Sequence, residues 1–255
     1  MNYFLNRLEK SRVNFAVISG ILADLDVSPD KNDPILDIGC GMGTLVYVFR
    51  QQGYRAFGAD LRDDFAACLG KLEAEHLLFG DSDILRTITH SPYRLPFPDE
   101  QFRFICSQQV LEHVHDKDTF FAESARVLKP GGLALHVFPP RWCPIEGHSY
   151  VPFASVFQGE RYLRFWAWLG IRNSYQKNLR YREAAARNAR YLAEQTSYLP
   201  RKAVGRSARR YFSEVRHVEH LFLKYRLPGG KVWAKVPGIP LLAGSLVMQA
   251  LLLKK

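Results

Sequence analysis

The chain has 255 residues, 47% of them apolar and 24% charged, a balance that buries a full core and excludes an intrinsically disordered protein. Its four cysteines, Cys40, Cys68, Cys106 and Cys143, lie far apart with no C-x-x-C pair, so neither a zinc site nor a disulfide framework is expected, and a reducing cytosol fits. The net charge of +10 is unevenly spread: residues 1–140 carry 14 Lys and Arg against 19 Asp and Glu, and residues 141–255 carry 21 against 6. A basic half of this kind points to an anionic partner or to a solvated helical surface.

Apolar residues Phe4, Leu5, Leu8, Phe15, Ile18, Ile21, Leu22 and Leu25 recur at about 3.6-residue spacing and predict a helix over residues 3–26. The opening MNYFLNRLEKSRVNF lacks a basic stretch followed by a long apolar one, so no signal peptide is expected. Pro29 and Pro34 break the helix, and a strand over 34–38 runs into Gly39, Gly41 and Gly43 and then a helix over 44–52. A second strand over 54–59 ends at Asp60, with a helix expected over 63–73. The third strand is placed at 84–89, with 76–79 competing for the role, and the fourth at 102–107. A helix over 119–128 stops at Lys129-Pro130-Gly131-Gly132, and 133–138 reads as a fifth strand. Strands alternating with helices predict a parallel sheet.

Beyond Pro140 the character changes. Residues 155–216, rich in Arg, Tyr, Ala and Trp, predict two or three helices inserted between the fifth and sixth strands. Strand-like sequence returns at 215–225, before a turn at Pro228-Gly229-Gly230. The apolar stretch 236–253 is interrupted by Pro237, Gly238, Pro240 and Gly244 and falls short of the ~20 residues a spanning helix needs. It reads instead as a final strand over 245–253, antiparallel to the sixth.

The segment ILDIGCGMG, residues 35–43, places glycines where the backbone must turn sharply and approach a ligand closely. Such turns also serve dinucleotides, and Asp60 at the end of the second strand would bond ribose hydroxyls in either case. Asp37, two residues before the first glycine, can reach the amino group of an amino-acid moiety, or simply cap the turn. Together with FGADL (57–61), LPFPDEQF (95–102), SQQVLEHV (107–114) and RVLKPGG (126–132), these residues make the chain resemble the class I methyltransferases that use S-adenosylmethionine (SAM), in particular small-molecule enzymes similar to those of ubiquinone and menaquinone biosynthesis. The resemblance covers roughly residues 33–140.

It implies an α/β, Rossmann-like, seven-stranded and mostly parallel sheet with an antiparallel last strand, helices on both faces, and a helical insertion between strands five and six. It further implies an N-terminal helical segment (1–32), a SAM-binding core (33–140), an acceptor-binding insertion (141–214) and closing strands (215–255). The cofactor residues it implies are Asp37, Gly39, Cys40, Gly41, Asp60, Leu61, Ser91, Ser107 and Gln108. Two departures stand out: the acidic adenine contact usual before LPF is replaced by His90-Ser91-Pro92-Tyr93, and the usual Asp after the final Phe of LPFPDEQF is Arg103.

Methyl transfer to a hydroxyl needs alignment and a base near neutral pKa. His113, at a helix start after the fourth strand, and His148, with Glu146 to orient it, are the candidates; the alternative for the second pair is a loop held by polar side chains. Arg161, Arg164, Arg172, Arg180 and Arg182 are candidates to clamp an anionic acceptor, and Tyr162, Phe165, Trp166 and Trp168 recur at helical spacing. The expected acceptor is a small or glycan-like molecule, with phosphorylated and lipid-linked ones among the options, and the transfer is to oxygen; a cytoplasmic location is expected, with peripheral contact at the inner membrane as an option. RNA methylation, a SAM-binding module without turnover, and more distantly an NAD-dependent oxidoreductase are the rivals. Oligomeric state is not legible.

Overall fold

The computed structural model describes residues 3–27, 29–62, 64, 70, 83–227, 229–236 and 238–255. The expected helix over 63–73, residues 64 and 70 apart, and the competing strand at 76–79 lie outside them. In chain order the elements are α1 (Tyr3–Asp24), β1 (Ile35–Ile38), α2 (Thr44–Gln51), β2 (Ala56–Asp60), β3 (Leu85–Thr87), β4 (Thr89–His90), β5 (Tyr93–Arg94), β6 (Phe102–Gln108), α3 (Lys117–Val127) and β7 (Leu128–Phe138). There follow α4 (Glu160–Trp168), α5 (Tyr181–Gln195), α6 (Arg201–Ala208), β8 (Glu214–His217), α7 (Glu219–Arg226), α8 (Gly230–Trp233), α9 (Ile239–Leu246) and β9 (Gln249–Lys254).

Among the described residues, seven strands form one sheet in the order β3-β2-β1-β6-β7-β9-β8, parallel except for β9, which runs antiparallel to β7 and to β8. β4 and β5 form a separate hairpin. Because side chains alternate across a strand, the sheet buries two apolar faces. Ile35, Phe104, Cys106, Leu135 and Leu252 pack on α1, α2 and α7 through Ile18, Ile21, Val46, Phe49 and Phe222. Leu36, Ile38, Ile105, Ala134 and Leu251 pack on α3 and α6 through Phe120, Phe121, Val204 and Ala208. The insertion has a small core of its own, in which Ala167 on α4 and Ala184 and Ala185 on α5 permit close helix approach beside Leu163 and Leu192.

Three expected boundaries move. Only residues 214–217 of the sixth strand are extended; Val218, Leu221, Phe222 and Tyr225 fall at i, i+3, i+4 and i+7, a helical stripe, and Val218, capping α7, is buried in the core with Leu221 and Phe222 of that helix. The last strand starts at Gln249 because residues 239–246 wind into α9, with Pro240 tolerated in its first turn. β7 begins at Leu128, not at residue 133: Lys129-Pro130-Gly131-Gly132 forms an irregular opening, with a register shift against β6 and Gly131 at φ 70°, the behaviour of a bulge.

Candidate active site

At the carboxyl end of β1 the chain passes through Gly39 (φ 74°), Gly41 (φ 54°) and Gly43 (φ 74°) before α2 begins. Gly39 is the most constrained, since a Cβ there would lie 2.2 Å from Val110 Cγ2. Gly41 donates its N–H to Asp60 Oδ2 at 2.8 Å, which ties the turn to the end of β2. Asp60 Oδ1 accepts the Arg62 N–H at 3.3 Å, so about two of the carboxylate's roughly four acceptor positions stay open to a ligand. A cavity of about 200 Å³ opens here, lined by Gly39, Asp60, Leu61, Tyr93, Val110 and His113 among others. The Tyr93 hydroxyl is buried without a partner, and that burial, followed by the charges of Glu123 and Asp60, raises its pKa.

Asp37 is buried in β1, its Oδ1 facing the Cys106 thiol at 3.8 Å. Burial first, and then the neighbouring charge of Asp60, push its carboxyl up to about 8. A buried carboxyl without a cation among the described residues, beside an open glycine turn, suits the ammonium of an amino-acid cofactor, so the residues present fit SAM. Leu61, over half exposed, stands at the cavity rim. Cys40 packs its side chain toward Gly58 in the core and does not line the cavity. Ser107 is fully buried, its hydroxyl hydrogen-bonded to His136 Nδ1 at 2.8 Å beneath α3. Gln108 ends β6 without lining the cavity, whereas Gln109 and Val110 line it. Ser91 is exposed at the tip of the β4–β5 hairpin, and Tyr93, two residues on, lines the cavity in its stead.

The loop after β7 carries Glu146 and His148, and it is built around the Glu146 carboxylate. Oε2 accepts from Ser149 N at 2.7 Å, Ser149 Oγ at 2.8 Å and His148 N at 3.1 Å. Oε1 meets His148 Nδ1 at 2.7 Å and accepts from the Tyr198 hydroxyl at 2.8 Å. One oxygen thus holds the loop and the other meets the imidazole and the Tyr198 hydroxyl. Burial works to raise the Glu146 pKa, but the hydrogen bonds from His148 and Ser149 prevail and hold it at about 2. The same Glu146 bond raises the His148 pKa against the opposing effect of burial. Nδ1 is thus engaged by Glu146, and Nε2 is the other ring nitrogen.

His113 sits on the Leu111–His113 turn with Nδ1 on the Gln195 carbonyl oxygen at 2.7 Å. Burial lowers its pKa against that bond. Its ring lies edge-on to His148, centroids 4.9 Å apart. His113 faces the glycine cavity, while His148 lines a second cavity of about 410 Å³ with Tyr150, Asn173, Arg187, Asn188 and Tyr191. The two histidines therefore stand between the two cavities. Glu112, buried with Oε2 unpartnered, is pushed up to about 7 by burial and adds a further ionisable carboxyl to the cluster.

The insertion is fastened to this cluster by the His115 ring on the Glu194 carbonyl at 3.0 Å, by Lys117 Nζ on the Ser197 carbonyl at 2.8 Å, and by the Ser197 N–H on the Glu112 carbonyl at 2.6 Å. Of the arginines expected to clamp an acceptor, Arg172 is committed to the Ala167 and Leu179 carbonyls and closes the α4–α5 connection. Arg161, Arg164, Arg180 and Arg182 do not line the second cavity; Arg187 does. Tyr162 and Trp166 pack into the insertion core, while Phe165 and Trp168 are exposed. Sequence reasoning missed Tyr93, Glu112, Arg187 and Tyr198. Tyr198 stands 52 residues from its partner Glu146, a pairing that no local pattern announces.

A methyltransferase-domain family model matches residues 36–136. The chain is 30% identical over 132 residues to a ubiquinone biosynthesis O-methyltransferase of Rhodopseudomonas palustris (strain BisB18), covering 52% of this chain and 47% of that one. It is 33% identical over 119 residues to a probable chloroplastic tocopherol O-methyltransferase of Oryza sativa subsp. japonica, covering 46% and 31%. The chain thus spans half or less of the length of these two relatives. An S-adenosylmethionine-dependent methyltransferase from Mesorhizobium loti shares the fold with a TM-score of 0.55 at 13% identity, over 95% of this chain and 100% of that one. Geranyl diphosphate C-methyltransferase from Streptomyces coelicolor A3(2) does so with a TM-score of 0.53 at 19% identity, over 98% and 79%. Residues 36–136 are thus similar to a methyltransferase domain, and the glycine turn at the end of β1 and the seven-stranded sheet around it agree with the fold shared with these SAM-dependent enzymes.

Proposed function

We propose that the chain transfers a methyl group to an oxygen of a small-molecule acceptor held in the cavity beside His148. SAM, when bound, supplies a methyl group on a sulfonium whose departure needs no acid. In this reading Asp37, Gly39, Gly41 and Asp60 hold the cofactor, and Leu61 and Tyr93 bound its other end. His148 takes the acceptor's hydroxyl proton on Nε2, and Glu146 keeps Nδ1 protonated and stabilises the imidazolium that forms. His113, between the two cavities, excludes water and positions the acceptor oxygen. Arg187 is the cation available to an anionic acceptor at this cavity.

The observation that carries the reading is the Glu146–His148–His113 series running from one cavity to the other. The curated relatives named for ubiquinone and tocopherol O-methyl transfer favour oxygen, although the chain is also similar to a norajmaline N-methyltransferase from Rauvolfia serpentina, 34% identical over 107 residues. The test uses methyl-labelled SAM with a panel of phenols, polyols and their phosphate esters. An O-methyl product is expected, and His148→Ala should lower kcat by about 10²-fold or more while the Tm rise given by S-adenosylhomocysteine persists. Transfer to nitrogen or carbon at an undiminished rate in His148→Ala would overturn the assignment.

A further inference from the structure

The helices α8 and α9 invert the usual order of a surface helix, in which large apolar residues face inward and small or polar ones outward. Both pack on α7 through glycines: a Cβ on Gly230 would lie 2.0 Å from the Leu223 carbonyl oxygen, and one on Gly244 would lie 2.7 Å from Glu219 Cγ. Ala243 and Gly244 are the buried residues of α9. The large side chains are left outside: Val232 is 67% exposed, Trp233 50%, Leu241 59% and Leu242 57%, with Val236 and Val247 also exposed. Isolated exposed apolar residues need no explanation, but six within sixteen positions form a patch that asks for a partner.

Charge selects the partner. From His220 to Leu253 the chain has four Lys and Arg and no Asp or Glu; Lys224 is paired with Asp24, and exposed Arg226 and Lys235 stand next to the patch in the chain. Gly244 and Ser245 of α9 also line a cavity of about 240 Å³ with Arg141 and Lys202, beside the exposed Trp142. A second copy of the chain would bring this basic rim against itself, which like-charge repulsion opposes. Basic residues around exposed Leu, Val and Trp match instead an interface that is apolar within and anionic at its surface. No helix among the described residues is long and apolar enough to cross a membrane, so the contact lies in the interfacial plane.

We infer that α8 and α9 form a membrane-surface docking face, seating Trp233, Leu241 and Leu242 in the headgroup region of an anionic bilayer. The inference stands apart from the acceptor assignment, since it uses none of the residues placed at the two cavities.

The experiment is vesicle flotation of the full chain with phosphatidylcholine vesicles containing one quarter phosphatidylglycerol, against pure phosphatidylcholine. Binding to the anionic vesicles at 0.1 M NaCl is expected, and it should be about tenfold or more weaker on neutral vesicles or in 0.5 M NaCl. Leu241→Asp/Leu242→Asp should reduce binding by about tenfold or more, with the S-adenosylhomocysteine-induced Tm rise retained as proof of folding; Leu241→Ser/Leu242→Ser replaces it if that rise is lost. Three results would overturn the inference: no binding of the unaltered chain to anionic vesicles, equal binding by the folded double variant, or a dimer that the double variant dissociates without any vesicle binding. Displacement from vesicles by polyuridylate while the double variant still binds would assign the basic charge to nucleic acid instead.

Discussion

Replacing Glu146 by Gln tests the orientation of His148 with little change of shape. The carboxylate accepts five hydrogen bonds, and an amide retains one acceptor oxygen. The backbone donors of His148 and Ser149 are fixed by the loop, so the amide oxygen stays with them and the NH₂ group turns toward His148 Nδ1 and the Tyr198 hydroxyl. His148 must then expose Nδ1 as the acceptor and carry its proton on Nε2, the nitrogen assigned to the substrate. Turnover should fall by about 10²–10⁴-fold, as in other sites where a histidine is forced into the wrong tautomer. Loss of a charge-assisted bond should cost about 1.5–3 kcal/mol of stability.

That cost depends on pH. The raised His148 pKa makes the pair's contribution full below an unfolded value of about 6.5 and lost as pH rises through the folded value. The lowered Glu146 pKa makes it present above about 4.5 and lost as pH falls toward about 2. The stability difference between the variant and the unaltered chain should therefore be largest between about pH 5 and 6. Long-range ¹H–¹⁵N correlation spectra read tautomer and pKa directly and need no acceptor, with His148→Ala assigning the signal. A Glu146→Gln protein whose His148 keeps its raised pKa and its Nδ1–H tautomer would refute the reasoning, whatever its activity.

Asp60→Ala should weaken S-adenosylhomocysteine binding by about tenfold or more by calorimetry, because it removes both the open acceptor positions and the anchor of the Gly41 N–H; undiminished affinity would place the ribose elsewhere. Gly39→Ala and Gly41→Ala have similar backbone strain, about 1–2 kcal/mol, but only Gly39→Ala also drives a methyl into Val110. Thermal melts should show Gly39→Ala to be the more damaging, with Val110→Ala restoring part of the difference; equal melts would contradict the packing argument. For Asp37, a folded pKa of about 8, well above its ordinary value of 3.8, means that the folded state binds a proton the unfolded state has lost, so stability falls as pH rises across that interval. Asp37→Asn should flatten the fall in Tm between pH 5 and 8 while weakening cofactor binding, and a Tm profile parallel to that of the unaltered chain would count against the buried, cation-free carboxyl.

The strands next to the cofactor were legible because their signals are local. Asp37, Gly39, Gly41 and Asp60 sit at strand ends flanked by short apolar runs, and a parallel strand followed by a glycine turn leaves the backbone few alternatives. Glu146 and His148 were legible as a pair because a single residue separates them and the loop closes on itself. Ser107 and Ser91 show where motif reading reaches its limit. A serine at the end of β6 sits near the cofactor in the chain, yet side-chain alternation turns Ser107 through the sheet to His136, while the β4–β5 hairpin carries Ser91 outward and brings Tyr93 in. The helix α7 was read as strand because short apolar runs suit both periods until their neighbours are known. Tyr198 and Gln195 reach the site only through the fold of the insertion, which no spacing in the sequence records.

The small core of the insertion, with its Ala167, Ala184 and Ala185 contacts, is separate from the two faces of the sheet; α6 packs on the sheet with α3, whereas the end of α5 meets the cofactor half through backbone carbonyls that engage His113, His115 and Lys117. A carbonyl is offered by every residue type, so the seam places few demands on which side chains occupy the end of α5. The α4–α5 part of the insertion can thus vary in sequence while its joint to the other half stays intact.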